Sequence, residues 1–335
     1  MANEKCLYPR PFLFIIRAGF RAWFVFLAFA GAISRSEGAA AEPVLNAFAG
    51  RETLVVVGIK DHLSASERVW FRVTKERRTI ASGTARSGPE GRIDLPVQLP
   101  GMKPGVALPF ELEMRADSEQ GRLMRSGTFW AFSEQPFDPE HKLSASRTIL
   151  LYDPEGRTEV ALRSISLACD TLDKPASLEG VTNAVIVVGE GVSLESERGL
   201  IDLLADAVAH GNRVLLLAPR DGQLKPPSAW RVLLAGDAQD VLRQPAASTG
   251  SYKLNLKEWP PDGRAVQMRF HLTAERDDAV FKVSQDAGCE AIGWDDAASG
   301  GCFRSCGLGI ISKWNQTPAA RWLFVELVER LANKE

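Results

Sequence analysis

Apolar and polar residues alternate with a period of two along the first half of the chain, in short runs separated by turns. In residues 68–74, for example, Val69, Phe71 and Val73 alternate with outward-facing positions. Such alternation is typical of strands that pack one face and expose the other, and no helical pattern interrupts these runs. The pattern predicts a two-layer β-sandwich. We expect Trp70 and Trp130 to pack in its core because they lie inside alternating runs.

The hydrophobic pattern changes after residue 147. Residues 149–152, 184–188 and 214–217 are dense in Val, Ile and Leu, and Gly or Pro follows each run closely. This composition favours parallel strands covered on both faces. Helices are predicted at about 158–167 and 196–211, so strands and helices alternate as in an α/β fold with helices on both faces of the sheet.

Further elements complete the predicted organisation. A buried strand or two is expected within 290–294 and 307–312, and a closing helix is capped by Thr317 with Pro318 in its first turn. The predicted domains are an immunoglobulin-like β-sandwich at 50–133, a linker at 134–146 and an α/β domain at 147–335.

The first 41 residues have the features of a secretory signal peptide. Lys5, Arg10, Arg17 and Arg21 precede an apolar run of 12 residues, and small residues lead to Ala41. A membrane-spanning helix needs about 20 apolar residues. We therefore predict cleavage after Ala41 and export to the periplasm or beyond, with a retained anchor as the alternative.

The charge balance and the cysteine content limit which partners, disulfides and metal sites are expected. With 40 Lys+Arg against 42 Asp+Glu and no block of like charge, the chain gives no sign of a nucleic-acid partner, and no membrane association is expected after signal cleavage. Two of Cys289, Cys302 and Cys306 could form a disulfide, or these residues could be buried thiols, and the sequence leaves both alternatives open. The histidines are scattered singly, so neither a metal site nor a cofactor is predicted. The oligomeric state is not determined by the sequence.

Residues 149–156, 184–191 and 213–219 together resemble the class I glutamine amidotransferase-like fold, a flavodoxin-like α/β arrangement. With the preceding sandwich and its aromatic strand at 128–133, the chain resembles the accessory C-terminal part of secreted bacterial proteins related to glycoside hydrolase family 2. The resemblance implies an association with carbohydrate. In active amidotransferases the third strand leads to a nucleophilic Cys, whereas here Ala218 has no nucleophile and Pro219 has no N–H for an oxyanion hole. His271 lies downstream as a base without a nucleophile.

Two groups of residues are candidates for ligand binding. Acids at the ends of the predicted parallel strands could meet where open α/β sheets bind ligands, and tryptophans in loop-rich parts could stack on sugars. The alternatives are helix caps and solvated loop tips for the acids, and core packing for the tryptophans. The candidates are Asp153, Glu155, Glu190, Trp230, Trp259 and Trp294.

The sequence favours an exported, non-catalytic two-domain protein that binds a ligand or a partner, with carbohydrate implied only by the resemblance. A glycoside hydrolase using Asp153, Glu155 or Glu190 as acid and base is one alternative. An architectural protein of the cell envelope, with an envelope protein as its partner, is another.

Overall fold

The computed structural model describes residues 45–58, 66–88, 92–137, 147–225, 234–242, 254, 265–275 and 278–333. These residues belong to one compact unit that spans 42–335. The predicted signal peptide lies outside them, so its prediction stands on the sequence alone.

The first half of the described chain is built from strands, as the alternation predicts. They are β1 (Leu45–Phe48), β2 (Glu52–Gly58), β3 (Arg68–Lys75), β4 (Arg78–Arg86), β5 (Arg92–Gln98), β6 (Ala107–Ala116) and β7 (Leu123–Phe132). A five-stranded sheet has the order β1-β7-β6-β3-β4, and β2 pairs with β5 in a second, two-stranded sheet.

The two sheets of this half share one hydrophobic core. Val57 and Leu95 from the small sheet are buried with Phe71, Phe110 and Phe129 from the large sheet. The ring centroids of Phe110 and Phe129 are 5.6 Å apart. The burial of alternate residues along β3, β5 and β6 therefore makes two layers around a single core.

Neither Trp70 nor Trp130 lies in that core, which corrects the expectation from the sequence. The same alternation that buries Val69 and Phe71 directs Trp70 to the opposite face of the large sheet, where it is partly exposed. Trp130 is also on this face, and it packs against the core of the second half of the chain. Each tryptophan does lie inside an alternating run, but at a position of that run that points away from the sandwich core.

The second half contains helices and strands in alternation. The strands are β8 (Thr148–Tyr152), β9 (Asp170–Leu172), β10 (Ala184–Val188), β11 (Arg213–Leu216), β12 (Gln223–Leu224), β13 (Leu234–Gly236), β14 (Arg269–Glu275), β15 (Asp278–Ser284), β16 (Ala291–Asp295) and β17 (Cys302–Cys306). The helices are α1 (Arg157–Ser164), α2 (Leu200–Ala209), α3 (Ala238–Leu242) and α4 (Pro318–Asn333), with a short 3-10 helix at Pro175–Leu178.

The main sheet of this half has the strand order β13-β16-β17-β11-β10-β8-β9. The predicted parallel pairing is confirmed, because β10 pairs in parallel with both β8 and β11. Residues of β10 alternate between two cores. Val185 and Val187 pack in the core that contains α1 and α4, while Ile186 and Val188 pack in the core that contains α2. Helices therefore cover both faces.

The predicted strand at 307–312 is wrong. The strand next to β11 is β17, and residues 310–316 form turns before α4. Leu308 and Ile310 are fully buried, so the apolar run was correct about burial. Burial alone does not distinguish a strand from a turn that packs inward.

Helix α4 also joins the two halves of the described chain, through the buried side chain of Arg321. Its guanidinium donates to the carbonyl oxygens of Trp314 at 2.9 Å and Glu134 at 2.9 Å, and to the side-chain oxygen of Asn315 at 2.6 Å. It also lies 4.9 Å from the ring centroid of Phe48 in β1. A buried guanidinium is tolerated here because its N–H groups find acceptors on both sides of the junction.

We predict that Arg321→Ala lowers the free energy of unfolding by about 2–4 kcal/mol, since it leaves buried oxygens without donors. Urea unfolding of residues 42–335 measures the change. Arg163→Ala is the matched control, because Arg163 is an exposed arginine on α1 that pairs with Glu159, and its loss should cost less than about 0.5 kcal/mol. Equal stability of the two variants would contradict the role of Arg321.

Candidate functional site

The carboxyl ends of β8, β10 and β11 form one edge of the main sheet, because the three strands are parallel neighbours. The loops that follow them carry Asp153 and Glu155, then Glu190, then Ala218 and Pro219. The predicted acids are therefore brought to the same edge. Their local contacts differ, and these contacts decide what each carboxylate can do.

Glu190 is buried, with 2% of its surface exposed. Its carboxylate accepts hydrogen bonds from the backbone N–H groups of Ile311 at 2.6 Å and Ser312 at 2.9 Å. Its own N–H donates to the hydroxyl of buried Thr158 at 3.1 Å. Burial raises the pKa of Glu190, although the hydrogen bonds from the two backbone N–H groups oppose this shift. The carboxylate therefore holds the loop before α4 and is not open to a substrate.

Asp153 caps the first turn of α1. Its Oδ2 accepts a hydrogen bond from the backbone N–H of Glu159 at 2.9 Å. Partial burial raises its pKa, against the hydrogen bonds from the helix. Its Oδ1 lies so close to Gly189 that a Cβ at that position would be 2.5 Å away. Gly189 is thus required by the close approach of the Asp153 side chain.

Glu155 is exposed and belongs to a surface ion-pair group. Its carboxylate lies 2.6 Å from the guanidinium of Arg157 and 3.3 Å from that of Arg220. The group links the loop after β8 to the loop after β11, but exposed pairs of this kind contribute little to stability. The three predicted acids therefore comprise a buried loop anchor, a helix cap and a surface ion pair.

The end of β11 is closed by backbone hydrogen bonds. Ala218 is fully buried, and its carbonyl accepts from the N–H of Gly191 at 2.8 Å. The N–H of Arg220 donates to the carbonyl of Val192 at 3.0 Å. Within the part of the chain that the structure describes, Ala218 is not among the non-glycine residues with positive φ. The strained turn that presents a nucleophile is thus missing along with the nucleophile itself. His271 is exposed on β14, in a different sheet.

A hydroxyl–carboxylate contact at this edge was not anticipated from the sequence. The Ser193 hydroxyl donates to Asp221 at 2.6 Å and accepts from the N–H of Ser196 at 3.1 Å. Burial acts to raise the pKa of Asp221, but the hydrogen bonds from Ser193 and Glu195 hold it below its ordinary value. The N-cap of α2 is Gly199, and Ser193 organises the turn before the helix.

One of the three predicted aromatic candidates, Trp294, lies within the described residues. Trp230 and Trp259 lie outside the described residues. Trp294 is buried on β16, where its ring stacks on Phe303 with centroids 4.1 Å apart and planes within 2°. A ring enclosed in the core has no face for a sugar.

Cys169, Cys289, Cys302 and Cys306 are thiols in the structure, which is the alternative to a disulfide that the sequence left open. Cys302 and Cys306 lie four residues apart on β17, about 13 Å along a strand, whereas a disulfide requires Cα atoms within about 7 Å. Burial raises the pKa of Cys306 to about 12, so this thiol stays protonated. The extended strand keeps the two cysteines apart although they are close in sequence.

The described residues include no group of three or more His, Cys, Asp or Glu arranged to hold a metal ion. The helices of the described ranges are too short or too polar to cross a membrane.

No protein-family model and no curated protein matches the chain. Among solved structures, a protein assigned as a glycoside hydrolase from Bacteroides vulgatus ATCC 8482 is 8% identical, with a TM-score of 0.19 over 52% of this chain and 42% of that one. A sialyltransferase from Photobacterium damsela is also 8% identical, with a TM-score of 0.21 over 53% and 42%. The chain spans less than half the length of either protein. Similarity at this level carries no argument about fold or function.

We predict that Glu190→Gln lowers the free energy of unfolding by about 1–3 kcal/mol at pH 4.5, because the amide oxygen can accept from only one of the Ile311 and Ser312 N–H groups and the NH₂ faces the other. Burial raises the pKa of Glu190 above its ordinary value of 4.5. Its contribution to stability is then fully present below pH 4.5 and is lost as the pH rises through the folded-state pKa. The difference between wild type and variant should therefore shrink with rising pH.

Urea unfolding across a pH series measures that difference. Glu155→Gln is the control, since it changes an exposed carboxylate near the same edge. A Glu190→Gln difference that stays constant or grows with pH would show that the buried carboxyl does not titrate as its surroundings imply.

Proposed function

We propose that the chain is an exported, non-catalytic protein that binds carbohydrate. In this proposal the β-rich half is an immunoglobulin-like sandwich and the α/β half is a flavodoxin-like domain derived from amidotransferases. Two facing sheets around one core support the first assignment. Parallel β8, β10 and β11 with helices on both faces support the second.

The observation that carries the non-catalytic assignment is the end of β11. Buried Ala218 stands where a nucleophile would be needed, and its carbonyl is tied to Gly191. This site therefore has neither the nucleophile that an amidotransferase reaction needs nor a free turn to present one.

The competing hydrolase function is less well supported. Glycoside hydrolysis needs two carboxyl groups that face each other across a substrate cleft. The Glu190 carboxylate is occupied by two backbone N–H groups, and Asp153 caps α1. Glu155 is the remaining predicted acid, and it is exposed beside two arginines.

Carbohydrate is chosen as the ligand class because of the sequence resemblance. A binding protein without a catalytic centre needs a rigid surface more than a deep cleft. The junction at Arg321 supplies such rigidity, since it joins the two halves through hydrogen bonds on both sides.

We predict that residues 42–335 do not hydrolyse glutamine or aryl glycosides between pH 4 and 8, while soluble polysaccharides retard them in affinity electrophoresis. Asp153→Asn and Glu190→Gln are assayed in parallel. Turnover that either substitution abolished would contradict the non-catalytic assignment. Absence of retardation by every polysaccharide would contradict the ligand class.

A further inference from the structure

The large sheet of the β-rich half has a solvent-facing side opposite its core, which we call the outer face. Trp70 lies on it, partly exposed, while its strand neighbours Val69 and Phe71 are buried on the other side. The residues of the outer face around Trp70 come from three adjacent strands. They include Arg68, Trp70 and Arg72 of β3, Ser82, Thr84 and Arg86 of β4, and Glu113 and Arg115 of β6.

Strand register places polar side chains on both sides of Trp70. Thr84 of β4 pairs with Trp70 from one side, and Arg115 of β6 pairs with it from the other. Thr84 is exposed, so a hydroxyl borders the indole on the edge strand. Side chains directly opposite on neighbouring strands are close enough to contact a common ligand.

Glu113 fixes the arginines next to the indole. Its carboxylate accepts from Arg72 at 2.6 Å and from Nε of Arg115 at 2.6 Å. Arg115 also donates to the carbonyl of Gly121 at 3.1 Å, and the guanidinium of Arg72 is 5.6 Å from the Trp70 ring centroid. The hydrogen bond from Arg72 is the main reason that the pKa of Glu113 is lowered, so the carboxylate stays charged. These side chains are therefore ordered before any ligand arrives.

The charges of this cluster compensate one another. Arg72 and Arg115 are balanced by Glu113 and by Glu119, whose carboxylate lies 3.6 Å from Arg72. The two positive and two negative charges of these four residues cancel. A neutral sugar finds an aromatic ring for its C–H face, together with hydroxyl and carboxylate acceptors for its own hydroxyls.

We propose that the outer face binds a neutral hexose unit of a glycan chain, with Trp70 as the stacking platform and Thr84 and Glu113 beside it. This proposal rests on the carbohydrate-binding function and assigns it a site. Trp130 marks where the site ends, because it lies on the same face but packs against the α/β half. The ligand therefore lies at the Trp70 end of the sheet.

The test is isothermal titration calorimetry of residues 42–335, one compact unit, with neutral hexasaccharides. The probes are β-1,4-glucan, α-1,4-glucan and β-1,4-mannan hexasaccharides, with hexagalacturonate as the acidic comparison. We expect at least one neutral probe to bind. Trp70→Ala should then weaken binding by about tenfold or more, and Trp70→Phe should weaken it less because a ring remains.

Two more variants keep the test independent of folding defects. Thr84→Arg changes an exposed residue and should obstruct the indole, which weakens the same interaction. Val160→Ala, at an exposed position of α1 in the other half, should leave binding unchanged. Circular dichroism confirms that each variant is folded.

The possible results distinguish a failure of the proposed Trp70 site from a failure of the proposed carbohydrate-binding function. Neutral-sugar binding that survives both Trp70→Ala and Thr84→Arg overturns the site and leaves the carbohydrate function standing. Binding of hexagalacturonate alone overturns the assignment of a neutral ligand. Failure of the wild type to bind any probe overturns the site and counts against the function as well.

Discussion

The two halves of the chain depend on one buried cation. Burial lowers the pKa of Arg321, but its guanidinium still finds three oxygen acceptors and the ring of Phe48. A buried charge without such partners would cost several kcal/mol. Trp314 and Asn315 lie in the turn before α4, in the same half as Arg321, whereas the Glu134 carbonyl and the Phe48 ring reach the guanidinium only when the β-rich half is docked. Contacts of this kind connect the β-rich and α/β parts within the compact unit that spans 42–335.

The same junction explains why the sheet edge is closed. Glu190 holds the N–H groups of Ile311 and Ser312, and the turn that follows carries the Trp314 carbonyl that Arg321 binds. Trp314 in turn donates from its indole N–H to the Ser164 hydroxyl at the end of α1. A carboxylate at a strand end is thus linked through one turn to the junction. A group with this structural role cannot also exchange protons with a substrate.

The sequence predicted the elements better than the contacts. Strands β8, β10 and β11 and helix α4 follow from local periodicity, which is a property of neighbouring residues. The hydrogen-bond partners of Glu190 are 121 and 122 residues away along the chain, and Arg321 is 187 residues away from its partner Glu134. Buried Asn212 likewise joins Ala184, Val181 and Ala207 through its side-chain amide. No periodic signal encodes such pairings. The outward position of Trp70, by contrast, was available from its parity with Val69 and Phe71.

The tryptophans show how the fold limits where function can lie. Trp294 stacks on Phe303, Trp314 and Trp322 serve the junction, and Trp130 packs between the halves. The first three rings are buried, and the half-buried ring of Trp130 is covered by the core of the α/β half. Trp70 differs because the adjacent Glu113 network orders the arginines around it while its own ring stays partly open to solvent. Order without enclosure is what a ligand-binding surface requires, and the acids at the closed sheet edge do not provide it.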